Sequence, residues 1–338
     1  MEALNDEGSD PRSAVSAWLA GDARLLLAVS GGIDSMVLLH ASAIAIDRKG
    51  IVVATFDHAT GPSATRAASL VRRQCARLGI ECISGCSTKR AVRESDWRDE
   101  RWRFLRSAAG ESRRTIVTAH TLDDQVETIF MRILRDAGAR GLSGLFAESE
   151  VARPFIALRR RDVASYAAKN RVTFVDDPSN RSMRHLRNRV RHDLLPAIVA
   201  VRPTFPSELI GVAREAARWR NSMATLADAA GAEAAPNGSL RIARAAVAGY
   251  DAEVLRTLWP ALAAKANVVM DRRGTHRLAE FTMKGHTGGS IQLSGGIEVR
   301  MFRDHLLLRR WDVRQVEATR NARARRAGLR PLAPPDKR

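Results

Sequence analysis

RLLLAVSGGIDS, residues 24–35, is the stretch on which the reading of this chain turns. RLLLAV (24–29) is a short continuous apolar run, as expected of a strand buried on both faces. SGGIDS interrupts it, and an apolar, helix-compatible run follows from Met36 to Ile46. A strand, a glycine turn and a helix in this order form a phosphate cradle: Gly31 and Gly32 let the backbone come close, and amide N–H groups and the helix N-terminus favour an anion. Ser30 and Ser35 can donate hydroxyl hydrogen bonds. Asp34 cannot favour a bare phosphate, but it suits Mg²⁺ bridging to phosphate oxygens. The loop is not a Walker A loop, because no GK[ST] follows. The plain alternative is an ordinary Ser/Gly turn capped before a helix.

Working outward, IVVATF (51–56), a weaker run at 80–83 and TIVT (115–118) read as further strands, with helical stretches at 64–78, 95–108 and 122–135. Strands alternating with helices give βα units and a parallel sheet, so the fold class is α/β. Ligands of such sheets sit beyond the carboxyl ends of the strands. A second motif, AHTLDDQVET (119–128), starts at such an end. In a helix from Leu122, Asp123 and Glu127 are four apart and Asp124 and Glu127 three apart, so either pair shares a face. Such a pair can bind Mg²⁺, hold an ammonium group or take its proton. Acidic first-turn residues favoured by the helix dipole are the plain alternative. His120 and His58, each just after a strand, can meet the same pocket; structural histidines are the competing reading.

Residues 137–149 read as a loop. DDPSN (176–180) is turn chemistry. In RNRVR (187–191), Arg187 and Arg191 share a helix face and could grip a nucleic-acid phosphate or a phosphate leaving group; a solvated basic helix is the other reading. Arg98 and Arg101, beside Trp97 and Trp102, could contact nucleic acid. VRPTFPS (201–207) marks a boundary. The expected organisation is a nucleotide-binding domain over 20–204, a smaller, mostly helical domain over 205–310 with a hairpin at 289–309, and a basic tail, 311–338, disordered or partly helical.

Lys+Arg number 55 against 37 Asp+Glu, a formal charge of +18, nearly all of it arginine. The excess points to a polyanionic partner, with codon bias as the alternative source. Aromatics are only 5%, which argues against a broad base-stacking platform. Cys75, Cys82 and Cys86 form no CxxC, so a disulfide framework or zinc ribbon is not expected. With no signal-peptide pattern and no apolar run of membrane-spanning length, a cytoplasmic protein without a membrane partner is expected.

Taken in order, SGGIDS, AHTLDDQVET, RGLSGL, RPFIALRRRDVASYA, VDDPSN and RNRVRHDLLP resemble the tRNA(Ile)-lysidine synthetases over about residues 24–200. The resemblance implies a PP-loop domain that binds ATP and Mg²⁺, with a CAU-anticodon isoleucine tRNA and free L-lysine as substrates; the sequence leaves the oligomeric state open, a homodimer included. It implies that the carbon-2 oxygen of the wobble cytidine is adenylated and that the lysine ε-amine then displaces AMP. By position it implies that Ser30, Gly31, Gly32, Ile33, Asp34 and Ser35 bind ATP, with His58 and His120 beside it and Asp34 on the metal. It places Asp124 and Glu127 at the lysine site, with Arg101 and Arg191 at the reaction centre. Two departures stand out: Ala59-Thr60-Gly61 replaces the family's Gly-Leu-Arg run after His58, with Arg66 nearby, and Asp136 replaces a loop glycine. The rival classes are a tRNA 2-thiolation enzyme, which would need the missing CxxC, a small-molecule PP-loop amidotransferase, which would need no basic surface, and a non-catalytic RNA-binding protein.

Overall fold

The computed structural model describes residues 10–19, 24–87, 94–147, 149–177 and 182–310. The basic tail and Pro178–Asn180 lie outside them. The described residues form two compact units, one comprising those up to Ala137 with Gly141–Glu215, the other Gly138–Arg140 with those from Ala216 on.

The first unit is built on β1 (Leu25–Ala28), β2 (Ile51–Asp57), β3 (Glu81–Cys86), β4 (Thr115–Val117) and β5 (Val151–Ala152), in the order β3-β2-β1-β4-β5. Every pairing is parallel, with Leu25 opposite Ile51 on one side and Thr115 on the other. Side chains alternate across the sheet. Leu25 and Leu27 enter a core with α1 (Pro11–Leu19), α2 (Ile33–Ala45), α3 (Pro62–Leu78) and the later helix α7 (Arg160–Lys169). Leu26, Val52 and Ile116 pack on the other face against Leu105, Ala108 and Ala109 of α4 (Glu94–Ser112). Burial on both faces explains why β1 and β2 read as uninterrupted apolar runs. Chain order reverses between β1 and β4, and at that reversal the carboxyl ends open a crevice. SGGIDS leaves β1 there, and AHTLDDQVET leaves β4 and enters α5 (Leu122–Ile133).

The stretch read as a loop at 137–149 contains the short helix α6 (Ala139–Leu142), and β5 was not legible. Two residues are too few to show a period. After α7 the chain makes α8 (Leu186–Arg189), a π turn (Val190–Leu194) and α9 (Leu195–Val201), and then α10 (Phe205–Ala229).

The second unit contains α11 (Ala252–Lys265), α12 (Arg272–Lys284) and an antiparallel sheet ordered β6-β7-β10-β9-β8. The expected hairpin is β8 (Ser290–Leu293) and β9 (Ile297–Met301), joined through Gly295 and Gly296 at φ 75 and 70. The same 289–309 stretch runs on into a third strand, β10 (His305–Arg310), and the structure adds β7 (Leu240–Ala243) and β6 (Glu233–Ala234). β7 alternates buried and exposed residues over only four positions, too short to stand out in an Ala- and Arg-rich stretch. No helix among the described residues is long and apolar enough to cross a membrane.

Candidate active site

The SGGIDS loop holds itself together. Ser35 Oγ accepts the Ser30 N–H at 3.1 Å and donates to the Gly32 carbonyl at 2.9 Å, leaving Ser30 Oγ 3.1 Å away to donate to it. Gly31 has φ +87, and a Cβ there would lie 2.8 Å from the Ala67 Cβ on α3. Its absent side chain is therefore required by the passing helix before any ligand is considered. Gly32 has an ordinary φ of −77 and space for a Cβ, so neither backbone angle nor packing demands glycine there, and its bareness leaves the N-terminus of α2 open. Ile33 starts the helix, and Asp34 follows in its first turn. Asp34 Oδ1 is buried without a hydrogen-bond partner. Burial first, and then the Asp124 charge, push its carboxyl up to about 6. A carboxylate held in this way suits a cation. Among the described residues no three His, Cys, Asp or Glu side chains gather into a metal-binding group, so Mg²⁺ on Asp34 would take its other ligands from phosphate and water.

Across the crevice, Thr121 caps α5: its hydroxyl accepts the Asp124 N–H, and the Asp124 carboxylate accepts the Thr121 N–H at 2.9 Å. This capping box, with Asp as the reciprocal acceptor, fixes the first turn. It turns Asp124 and Glu127 toward the site, where they are 8% and 2% exposed. Gln125, next to them, grips the RGLSGL loop through the Ser143 carbonyl at 3.1 Å and the Leu145 N–H at 2.6 Å.

Three guanidinium groups converge on the two carboxylates. Arg160 spans both, reaching Asp124 at 3.0 Å and Glu127 at 3.2 Å. Arg187 reaches Glu127 at 3.0 Å. Arg191 meets both Glu127 oxygens, at 2.7 and 2.9 Å, and Asp124 at 3.3 Å. Burial pushes the Asp124 carboxyl up, but Arg160, the Thr121 N–H and Arg187 together hold it below its ordinary value. Burial likewise works against the charge on Arg191, and Glu127 more than restores it. Asp34 feels Asp124, Arg160 and Arg191 directly, so both motifs share one electrostatic neighbourhood.

Burial lowers His120 to about 4, so it is neutral at pH 7, and its Nδ1 lies 2.8 Å from Thr118 Oγ1. His58 is also lowered, by burial and then by Arg101; its Nδ1 is buried without a partner, and its ring meets Phe56 edge-on at 5.0 Å. Arg101 lies at the cationic side of the site. Its Nε is buried without a partner, and burial, Arg98 and Arg187 all disfavour its charge. Cys75, Cys82 and Cys86 are all free thiols.

The structure thus brings Asp34, Asp124, Glu127 and Arg191 together, with His120 and Arg101 within electrostatic reach and His58 beside Arg101. It also settles what faces RNRVR, since Arg187 and Arg191 point at carboxylates. Sequence reasoning missed Arg160. Three consecutive arginines precede Asp162, and only the fold of the α7 N-terminus selects one: the Arg159 N–H bonds Asp162 at 3.0 Å, and the Arg160 N–H bonds Asp123 at 2.7 Å. Both departures from the family pattern fall at left-handed backbone, Ala59 at φ 54 and Asp136 at φ 52. Glycine adopts this conformation freely, whereas alanine there costs about 1–2 kcal/mol and aspartate less.

The family model for a PP-loop domain (ATP_bind_3) matches residues 10–198, more than half of the 338. A tRNA(Ile)-lysidine synthase from Methylobacterium nodulans is 34% identical over 73% of this chain and 77% of its own. One from Pectobacterium atrosepticum is 35% identical over 58% of this chain and 46% of its own. The chain thus spans about half the length of several of the curated relatives it matches, 46% in three of them. Among solved structures, the U34-tRNA thiolase NcsA from Methanococcus maripaludis aligns with TM-score 0.50 at 14% identity, covering 62% of this chain and 76% of that one; the likeness is one of fold. Together with the switch-point site, these matches identify the chain as a member of the tRNA(Ile)-lysidine synthase family, built on a PP-loop domain.

Proposed function

We propose that the chain is an ATP-dependent ligase that converts the wobble cytidine of the CAU-anticodon isoleucine tRNA to lysidine, acting in the cytoplasm. The observation that carries this reading is the buried Asp124–Glu127 pair set beside Asp34 at the switch point. An ammonium is not nucleophilic, so a carboxylate must hold it and accept its proton. A pair facing the nucleotide loop would hold the amine beside a base activated there. In the first half-reaction the cytidine oxygen attacks the α-phosphorus of ATP and pyrophosphate leaves. Ser30, the open N-terminus of α2 and Arg191 stabilise charge on that phosphate. Asp34 would hold Mg²⁺, which would supply further neutralisation of the phosphate oxygens. In the second half-reaction the deprotonated ε-amine displaces AMP. The neutral His120 can share a hydrogen bond without adding positive charge. A wobble base in a single-stranded loop is unstacked at low cost, which makes delivery into such a crevice feasible.

The test is one incubation with ATP, Mg²⁺, radiolabelled lysine and either the CAU-anticodon isoleucine tRNA or initiator methionine tRNA. Label in the isoleucine tRNA alone is the expected result. Absence of label with ATP still consumed would overturn the reading in favour of another PP-loop reaction.

A further inference from the structure

The two carboxylates assigned to the ammonium are already saturated. An ionised carboxylate offers about four lone-pair positions, so the pair offers about eight. Asp124 Oδ1 takes Arg160 and Arg191, and its Oδ2 takes the Thr121 N–H and hydroxyl. Glu127 Oε1 takes Arg160 and Arg191, and its Oε2 takes Arg187 and Arg191. In this arrangement an ammonium can enter only if an arginine leaves.

The contacts point to which one. Arg191 is anchored by two bonds to Glu127 and a third to Asp124. Arg187 holds Glu127 at 3.0 Å and Thr128 at 3.3 Å and reaches Asp124 only at 4.0 Å; Arg160 touches each carboxylate once, through different nitrogens, and with Arg191 it is a cation whose charge reaches Asp34 on the nucleotide loop. Its main chain is fixed: the Arg160 N–H is bonded to Asp123, and α7 is tied to α1 and α2 by Arg12 and His40 on Tyr166, at 3.1 and 3.0 Å. The guanidinium can therefore swing while the helix stays in place. Asp34, on the nucleotide loop, already feels the Arg160 charge, so an anion on that loop lies within its electrostatic reach.

We propose that Arg160 gates the amine site: it covers Asp124 and Glu127 until nucleotide phosphates on the SGGIDS loop draw its guanidinium away, so that lysine binds after ATP. This rests on the reading of Asp124 and Glu127 as the ammonium site. Coupling of this kind is reciprocal, so lysine must tighten nucleotide binding by the same factor.

The test measures binding of radiolabelled lysine to the full chain by equilibrium dialysis, with and without Mg²⁺ and α,β-methylene-ATP, which cannot release pyrophosphate. Wild type should bind lysine at least about tenfold more tightly with the nucleotide. Arg160→Gln should bind it nearly as tightly without, so the tenfold difference collapses. Arg160→Lys, which keeps the charge but cannot bridge both carboxylates as a fork, should fall between. Equal lysine affinity of wild type with and without nucleotide overturns the gate, and this arm needs no variant to fold. A difference of the same size in Arg160→Gln assigns the gate elsewhere and overturns Arg160. The underlying reading is tested apart from the gate by Glu127→Gln with nucleotide present: unchanged lysine affinity there would remove the ammonium site itself, whereas weakened affinity with no nucleotide effect in wild type would remove the gate alone.

Discussion

Glu127→Gln should destabilise the first unit as well as impair lysine use, and the size follows from the geometry. The Glu127 side chain is 3% exposed, while the three arginines that bind it are 25–30% exposed. Removing one partner of a fully buried ion pair costs roughly 3–5 kcal/mol. Here the cations can partly re-solvate, which lowers the expectation to about 2–3 kcal/mol. The amide keeps one acceptor oxygen but turns N–H donors toward Arg187 and Arg191, so the substitution cannot restore the fork. At about 2–4 °C per kcal/mol for a unit of this size, the melting temperature should fall by roughly 5–10 °C. Urea unfolding followed by circular dichroism, with calorimetry alongside, measures both quantities. A loss below about 0.5 kcal/mol would refute the claim that the carboxylate holds the arginine cluster together, and with it the count of saturated lone pairs.

Two further outcomes are expected. Asp34→Asn should change the pH dependence of stability in metal-free protein. The folded carboxyl is raised to about 6 from an ordinary value near 4, so its penalty is absent in acid, grows as pH rises through that window and is complete above about 6. The variant should therefore gain on wild type by up to about 3 kcal/mol between pH 3.5 and 7, and a difference that stays flat across denaturation curves in that range would contradict the buried, unpartnered oxygen. Gly31→Ala should lower stability by more than about 2 kcal/mol and reduce ATP binding, because the new Cβ would lie 2.8 Å from Ala67; unaltered melting would mean that α3 does not constrain the loop.

Much of this was legible in the chain. The apolar runs at 24–29 and 51–56 announced a buried parallel sheet because both faces of β1 and β2 are covered, and a strand buried on both sides cannot alternate. SGGIDS and AHTLDDQVET carried their own punctuation, glycine at a turn and Thr121 at a helix cap. What was not legible were the pieces whose identity lies in their partners. β5 exists because β4 offers it an edge, and β7 because β10 does.

The sequence by itself determined which residues could do chemistry: a phosphate cradle with an acidic residue inside it, two carboxylates one helical turn apart, and arginines spaced four apart. Those are local properties, fixed by backbone period and side-chain type. The tertiary structure alone decided that the two motifs flank one reversal of strand order, that Arg187 and Arg191 face carboxylates, and that Arg160, one of three adjacent arginines, closes over them. Sequence spacing carries no information about which of three neighbouring side chains turns inward. That is settled by the cap and packing of α7, whose Arg160 N–H meets Asp123 on α5 and whose Tyr166 meets His40 on α2.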